Sequence, residues 1–270
     1  MEGNVALVKG GGDLGTGVVL RLYQRQYRVV VTELAQPLVV RRTVAVASAV
    51  FEGDVVVEGV TARRVNDFAG IVAAWKGGHV PVVVDPEVRI AREVAPLVLV
   101  DAIMAKRNMG TTIKDAPIVI ALGPGFHGRV DCHAVVETQR GPDLGHVYFA
   151  GTTAPDSGVP GEIGGEAARR VMRAPVDGTF VGLVRIGDRV RAGDVVAQVN
   201  SHPIRAQLGG VVRGLLADGL DVRPGMKVGD VDPRDDPALC YRVSDKAWQV
   251  AEGVLRAIEA LQGNRSGQTM

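Results

Sequence analysis

The run Lys9-Gly10-Gly11-Gly12-Asp13-Leu14-Gly15-Thr16-Gly17 is the stretch of this 270-residue chain best suited to holding an anion. The apolar run Val5-Ala6-Leu7-Val8 precedes it. An amphipathic stretch through Val18, Leu22 and Tyr23 follows, and a second apolar run, Arg28 to Thr32, ends at Glu33. Strand, glycine turn, helix, strand and acid, in that order, is the context in which Gly-x-Gly-x-x-Gly binds a dinucleotide. Gly10 permits a tight turn, Gly12 lets the backbone approach a pyrophosphate, and Gly15 lets the helix pack close to the strand. Gly11, Asp13 and Thr16 of the same run join them as candidate cofactor-binding residues. Phosphate would rest on N–H groups at the helix start, where the helix dipole also favours an anion. Glu33 lies 23 residues after Gly10, near the spacing at which a carboxylate accepts from a ribose hydroxyl. Its charge would repel a 2′-phosphate, so an NAD-like or other adenine nucleotide is expected rather than NADP. Two residues depart from the pattern. Lys9 stands where such strands end on a small or apolar residue. Asp13 puts negative charge where phosphate should sit, and it also reads as a helix N-cap. A purely structural turn is the alternative.

Three further strand-like runs end on polar or glycine positions: Val80–Asp85, Leu97–Asp101, and Pro117–Leu122 leading into Gly123-Pro124-Gly125-Phe126. Ligands of open parallel sheets collect beyond the carboxyl ends of the strands. Asp85, Asp101, Gly123 and Gly125 therefore join the candidate site, as do Lys106 and Arg107, which follow Asp101 together with Asn108, Thr111 and Thr112. These cations and hydroxyls suit an anionic ligand; a solvated loop is the plain alternative. The pairs Arg41-Arg42 and Arg63-Arg64 allow the same two readings. Glu137, Thr138, Arg140 and Gly141 follow the strand-like Ala134-Val135-Val136, as pocket residues or as an ordinary strand end. His127, Cys132, His133 and His146 are of metal-binding type but in no recognised ligand spacing, so no metal is expected. A Cys132–His133 dyad is disfavoured because neighbours in a strand point to opposite faces.

The elements that must carry these residues follow from composition and pattern. The 48 valines and 35 glycines, with only 4% aromatic residues, favour buried strands joined by tight turns. The first part reads as a Rossmann-like parallel-sheet domain of an α/β protein, residues 1–165, binding a nucleotide. From Ala174 the pattern changes. Ala174, Gly178, Gly182, Gly187, Val190, Arg191, Gly193, Val196 and Val199 recur 32 residues later as Ala206, Gly210, Gly214, Gly219, Val222, Arg223, Gly225, Val228 and Val231. Such self-similarity marks an internal duplication. Its turns resemble those of biotinyl and lipoyl carrier domains, which implies a barrel-sandwich β domain over residues 170–234. Those families carry their modified lysine on the hairpin between the halves. Here that hairpin reads Val199-Asn200-Ser201-His202-Pro203-Ile204, so neither biotin nor lipoate is expected. A last helix, residues 244–262, starts at Ser244 and places Ala247, Ala251, Val254, Leu255, Ile258 and Leu261 on one face, to be packed on the first domain.

A net charge of +1 argues against a nucleic-acid or anionic-membrane surface. No apolar stretch approaches the roughly 20 residues of a membrane helix, and Met1-Glu2-Gly3-Asn4 lacks a basic leader region. Two cysteines make no disulfide framework, and a cytoplasmic location is expected.

The order of motifs resembles a known family. It runs through Lys9–Gly17; Thr32-Glu33-Leu34 with Pro37 and Arg41-Arg42-Thr43; Val100-Asp101-Ala102 with Lys106-Arg107-Asn108; and Gly123–Phe126. It continues through Val136-Glu137-Thr138-Gln139-Arg140-Gly141, Gly158-Val159-Pro160-Gly161 and Gly229-Asp230-Val231-Asp232-Pro233-Arg234. Together these are similar to the YqeB-type accessory proteins of the selenium-dependent molybdenum hydroxylase system. The resemblance implies a maturation factor whose partners are hydroxylase subunits or other maturation factors, with homo-oligomers allowed. It implies a ligand that is an adenine or cytosine nucleotide or molybdopterin dinucleotide. It implies no reaction and no catalytic residue. The alternatives are an NAD-dependent oxidoreductase, for which no proton donor with a substrate-anchoring arginine is recognisable, and a non-catalytic scaffold. Redox or selenium handling through the Cys132 thiol is a further alternative.

Overall fold

A computed structural model describes residues 4–159 and 161–266. Met1–Gly3, read above for a leader, and Pro160 of the Gly158–Gly161 motif lie outside the described residues. The chain forms two compact units: Met1–Ala35 with Val46–Asp156 and Val243–Met270, and Gln36–Ala45 with Ser157–Arg242.

The first unit holds nine strands: β1 (Val5–Lys9), β2 (Arg28–Glu33), β3 (Asp54–Val57), β4 (Val60–Val65), β5 (Val80–Val84), β6 (Val98–Asp101), β7 (Ile118–Leu122), β8 (Ala134–Val136) and β9 (Val147–Tyr148). Its helices are α1 (Asp13–Gln24), α2 (Ala49–Glu52), α3 (Phe68–Lys76), α4 (Ala91–Val94) and α5 (Asp245–Ser266). The strands form one sheet in the order β3-β4-β5-β2-β1-β6-β7-β8-β9. Strand β1 pairs in parallel with β2 on one side and β6 on the other, so successive connections leave in opposite directions from this point. Val5–Val8, Val29–Val31, Val98–Val100 and Ile118–Leu122 are all buried, as valine-rich strands covered on both faces must be.

Helix α1 packs against α5 at close range. A Cβ at Gly17 would meet the Ala247 carbonyl oxygen at 2.7 Å. Arg21 lies over the Trp248 ring and pairs with Glu252 at 2.8 Å. Helix α3 is capped by Asp67, whose carboxylate accepts from Gly70 N–H at 2.8 Å.

The expected architecture needs correction in both halves. The first sheet is mixed, not parallel throughout: β3 is antiparallel to β4, and β9 to β8. The physical reason at one edge is the turn Glu58-Gly59, with φ of 49° and 79°. Two consecutive left-handed residues make the tight hairpin that joins antiparallel strands.

The second unit contains β10 (Val171–Arg173), β11 (Gly178–Gly182), β12 (Arg189–Val190), β13 (Val195–Val199), β14 (His202–Arg205), β15 (Gly210–Leu215), β16 (Asp221–Val222) and β17 (Lys227–Asp232). They form two separate antiparallel sheets of four strands, β10-β17-β15-β12 and β14-β13-β11-β16, not one closed barrel-sandwich of the carrier type. The repeats at offset 32 fall on equivalent strands, β11 on β15, β12 on β16 and β13 on β17. Each half lends its short strand to the other's sheet: β12 pairs with β15, and β16 with β11. Phe180, Val196, Val199, Val212, Leu216 and Val228 form the core of this unit.

Candidate functional site

The carboxyl end of β1 leads through Gly10 into α1, and Gly10 adopts φ +88°. A side chain there would also meet the backbone of Ala102 and Ile103 at 3.0–3.1 Å. Gly15 lies directly on the Gly10 carbonyl, so only a hydrogen fits between helix and turn. Gly11 is enclosed by Val46 and Ala47: its carbonyl accepts from Ala47 N–H at 3.0 Å and from the Thr16 hydroxyl at 3.0 Å. That hydroxyl in turn accepts from Val46 N–H at 3.0 Å. Gly12 precedes α1, and no side chain caps that helix start. Asp13 is the acid of its first turn.

Glu33, at the end of β2, faces the same turn. Its carboxylate accepts from Gly11 N–H at 2.7 Å and from Leu34 N–H at 2.9 Å. Burial pushes its carboxyl above the ordinary value, and the two backbone N–H groups pull against that shift. One backbone N–H of the glycine turn, that of Gly11, is thus already bonded to a carboxylate. The residues present fit phosphate at the uncapped start of α1, and they do not fit it on Gly11 N–H.

Asp101 closes β6 beside Lys9, its register partner on β1. Both are buried, with Lys9 Nζ 3.4 Å from Asp101 Oδ2. Lys9 also donates to the Thr111 hydroxyl, which donates to Asp101 Oδ2 at 2.5 Å. Loop 102–110 rises from this point. Lys106 pairs with Asp156 at 2.7 Å, and both are exposed. Arg107 Nε reaches Met109 Sδ at 3.3 Å, and its guanidinium meets no carboxylate among the described residues.

Gly123 and Gly125, after β7, have φ of +72° and +102°. A Cβ at Gly123 would fall 2.6 Å from the Thr138 hydroxyl and 3.3 Å from Met104 Cε, and one at Gly125 would strike the backbone of Arg107. The loop after β6 therefore lies across the turn after β7 because Gly123 and Gly125 carry no side chain at the points of contact. Beyond β8, buried Glu137 accepts from Thr138 N–H and Gln139 N–H at 2.7 Å and from Ala154 N–H at 2.8 Å. Next to Ala154, the buried Thr153 hydroxyl has no hydrogen-bond partner among the described residues.

Gly10, Gly11, Gly12, Asp13, Gly15, Thr16, Glu33, Asp101, Lys106, Arg107, Gly123 and Gly125 thus all lie at one end of the sheet, linked through segment 102–107. Asp85, which follows β5, donates its N–H to the Glu33 carbonyl at 3.0 Å, and its carboxylate turns away to accept from Ile90 N–H at 2.8 Å. Arg41 donates to the carbonyls of Leu239 and Arg242, Arg42 to Leu215, and Arg63 to Asp54, all as internal ties. Among the described residues no group of three His, Cys, Asp or Glu side chains could hold a metal ion. Cys132 is fully buried, and desolvation with nearby Asp131 pushes its thiol up to about 12. No helix among the described residues is long and apolar enough to cross a membrane.

Sequence reasoning missed Thr153, Asp156 and the Val46–Ala47 cover. No motif marks them, and only folding brings them near the site.

No family model matches the chain. Over 257 residues, 95% of its length, the chain is 48% identical to the uncharacterized protein YqeB of Escherichia coli (strain K12). It spans about half of that relative, 48%. Among solved structures, an aspartoacylase family protein of Mesorhizobium loti matches at 13% identity over 85% of each chain, with a TM-score of 0.28. A succinylglutamate desuccinylase of Silicibacter sp. matches at 14% identity over 85% of this chain and 84% of that one, with a TM-score of 0.25. Nearly the whole chain is thus similar to YqeB-type proteins, as the order of its motifs led us to expect.

Proposed function

We propose that the chain is an accessory factor in the maturation of selenium-dependent molybdenum hydroxylases, and that it holds a nucleotide-like ligand at the carboxyl end of its nine-stranded sheet. The observation that carries the ligand site is the meeting of the Gly10–Thr16 turn, loop 102–107 and the Gly123–Gly125 turn where the connections from β1 diverge. Open α/β sheets bind ligands at such a switch point. In this reading phosphate sits at the uncapped start of α1, and Lys106 and Arg107 supply positive charge. The Thr153 hydroxyl, without a partner among the described residues, leaves a hydrogen-bonding group for a polar ligand or a water. Adenine and cytosine nucleotides, NAD and molybdopterin dinucleotide share the pyrophosphate or phosphate chemistry such a site requires.

Equilibrium binding tests this directly. Saturable binding of at least one of these compounds, weakened by Arg107→Met, is expected. Absence of binding by all of them refutes the ligand site. The role in maturation is tested by removing the protein from its host: hydroxylase polypeptide should persist while its selenium-dependent activity falls.

A second reading, a non-catalytic scaffold, is favoured by one specific observation. Gly10, Gly11 and Gly15 are each crowded by the protein's own atoms, which accounts for glycine there without a ligand. Capture of a hydroxylase subunit by this chain, unaffected by any added nucleotide, would favour that reading.

A further inference from the structure

Lys9 is unexplained by any reading of the glycine turn. A strand that ends under a tight turn has no need of a lysine, and burying an ammonium is costly unless it is paired. The structure supplies the pairing: Asp101 on the neighbouring strand and the hydroxyl of Thr111, ten residues further along the chain. Lys9 and Asp101 side chains are only 8% and 1% exposed, and Thr111 is buried.

The two partners are the two ends of one loop. Asp101 is its last residue before departure, and its other oxygen accepts from Ile103 N–H at 3.1 Å. Thr111 is its point of return, where Asn108 Oδ1 accepts from Gly110 N–H and Thr111 N–H at 2.8 Å. Between them, Met104 and Lys106 hold φ of 60° and 62°, a left-handed backbone unfavourable for residues with a Cβ. Such conformations persist where surrounding contacts over-determine them. Beyond its neck the loop meets Gly10, Gly123 and Gly125 and reaches Asp156 through the exposed Lys106, while Ile103 and Met109 are exposed.

We infer that Lys9 is a positioning residue: with Asp101 and Thr111 it forms a buried latch that closes the neck of loop 102–110 and so fixes where Lys106 and Arg107 stand. Its consequence for ligand binding rests on the function proposed above; the latch itself does not. The ammonium holds the carboxylate and the hydroxyl together from below, and the loop keeps its shape because its two ends cannot separate. Lys9 touches no ligand in this account.

Amide hydrogen exchange on the full chain tests it. In the wild type, Ile103, Gly110 and Thr111 amides should exchange at least tenfold more slowly than unstructured amides, because their bonds hold only while the neck is closed. Thr111→Val keeps the shape and removes the hydroxyl; exchange across 103–111 should rise at least tenfold while amides of β1 and α1 stay protected. Thr111→Ser restores the hydroxyl and should restore protection. Unprotected amides in the wild type, or unchanged loop exchange in Thr111→Val, overturn the latch. Binding of NAD, AMP and CMP is measured on the same samples. A wild type with a protected loop that binds none of them refutes the proposed ligand site and leaves the latch standing. A wild type that binds, with Thr111→Val binding at least threefold more weakly, supports both.

Discussion

Replacing Gly17 by alanine should destabilise the first unit, although alanine is the better helix former. In an exposed helix interior the exchange gains about 0.5–1 kcal/mol. At Gly17 the new Cβ would lie 2.7 Å from the Ala247 carbonyl oxygen, 3.0 Å from its carbon and 3.1 Å from its Cβ. Contacts under 3.0 Å are essentially never seen for a real Cβ, and the nearest atoms belong to backbone, which cannot swing aside as a side chain would. Helices α1 and α5 must separate by several tenths of an ångström, loosening Val18, Leu22, Ala251 and Val254, all of which are fully buried. Overpacking of this kind costs about 1–3 kcal/mol, and rigid backbone puts it at the upper end. After the gain in helix propensity, a net loss of about 2 kcal/mol remains, or a fall of about 4–8 °C in Tm. Thermal and urea unfolding followed by circular dichroism measure it. Gly263→Ala, also in α5 but with nothing within 4 Å of its new Cβ, is the control and should leave stability unchanged or raised. A Gly17→Ala protein as stable as the wild type would refute the close approach of α1 and α5.

Other outcomes are as specific. With its thiol pushed up to about 12, Cys132 should resist iodoacetamide at pH 8 in the folded protein and react once it is unfolded in urea. Rapid labelling of the native chain would revive a role for this thiol in handling selenium. Glu33 has a native pKa raised above its unfolded value of 4.5, so its contribution favours folding at low pH and is lost as pH rises through the native value. Glu33→Gln removes this titration. The stability of the wild type relative to the variant should therefore rise as pH is lowered from 7 towards 4.5, and a constant difference would show that the carboxylate is not desolvated. In the second unit, Arg170 Nη1 lies 2.6 Å from both oxygens of Asp230, and both side chains are buried. Arg170→Met leaves a buried carboxylate with, among the described residues, Lys227 as its one remaining cation, and should cost about 3–5 kcal/mol in urea unfolding. A loss below 1 kcal/mol would mean that the pair is solvated.

The sequence by itself located β1, β2 and β5 to β8, the glycine turn and the duplication, because each is a local pattern, while β3, β4 and β9 went unread. Val5–Val8 and Ile118–Leu122 are buried on both faces and therefore apolar without alternation. The repeat at offset 32 falls on equivalent strands of the second unit because equal sequences make equal hairpins. It also placed Glu33, Asp101, Gly123 and Gly125 at strand ends, which is again a matter of neighbours along the chain.

Pairing between strands was out of its reach. The antiparallel placement of β9 on β8 and the exchange of β12 and β16 between halves depend on which hydrogen-bonding edges are left open once other strands have docked. The roles of individual side chains at the site were hidden for the same reason. Whether Gly11 N–H meets a ligand or Glu33, and whether Lys9 is an oddity or the partner of Asp101 and Thr111, turns on distances of about 3 Å between residues up to 102 positions apart. Hydrogen bonds and ion pairs act only at such range. Tertiary structure alone brings these groups together, and it alone decided that the glycine turn is bonded and covered by the protein itself.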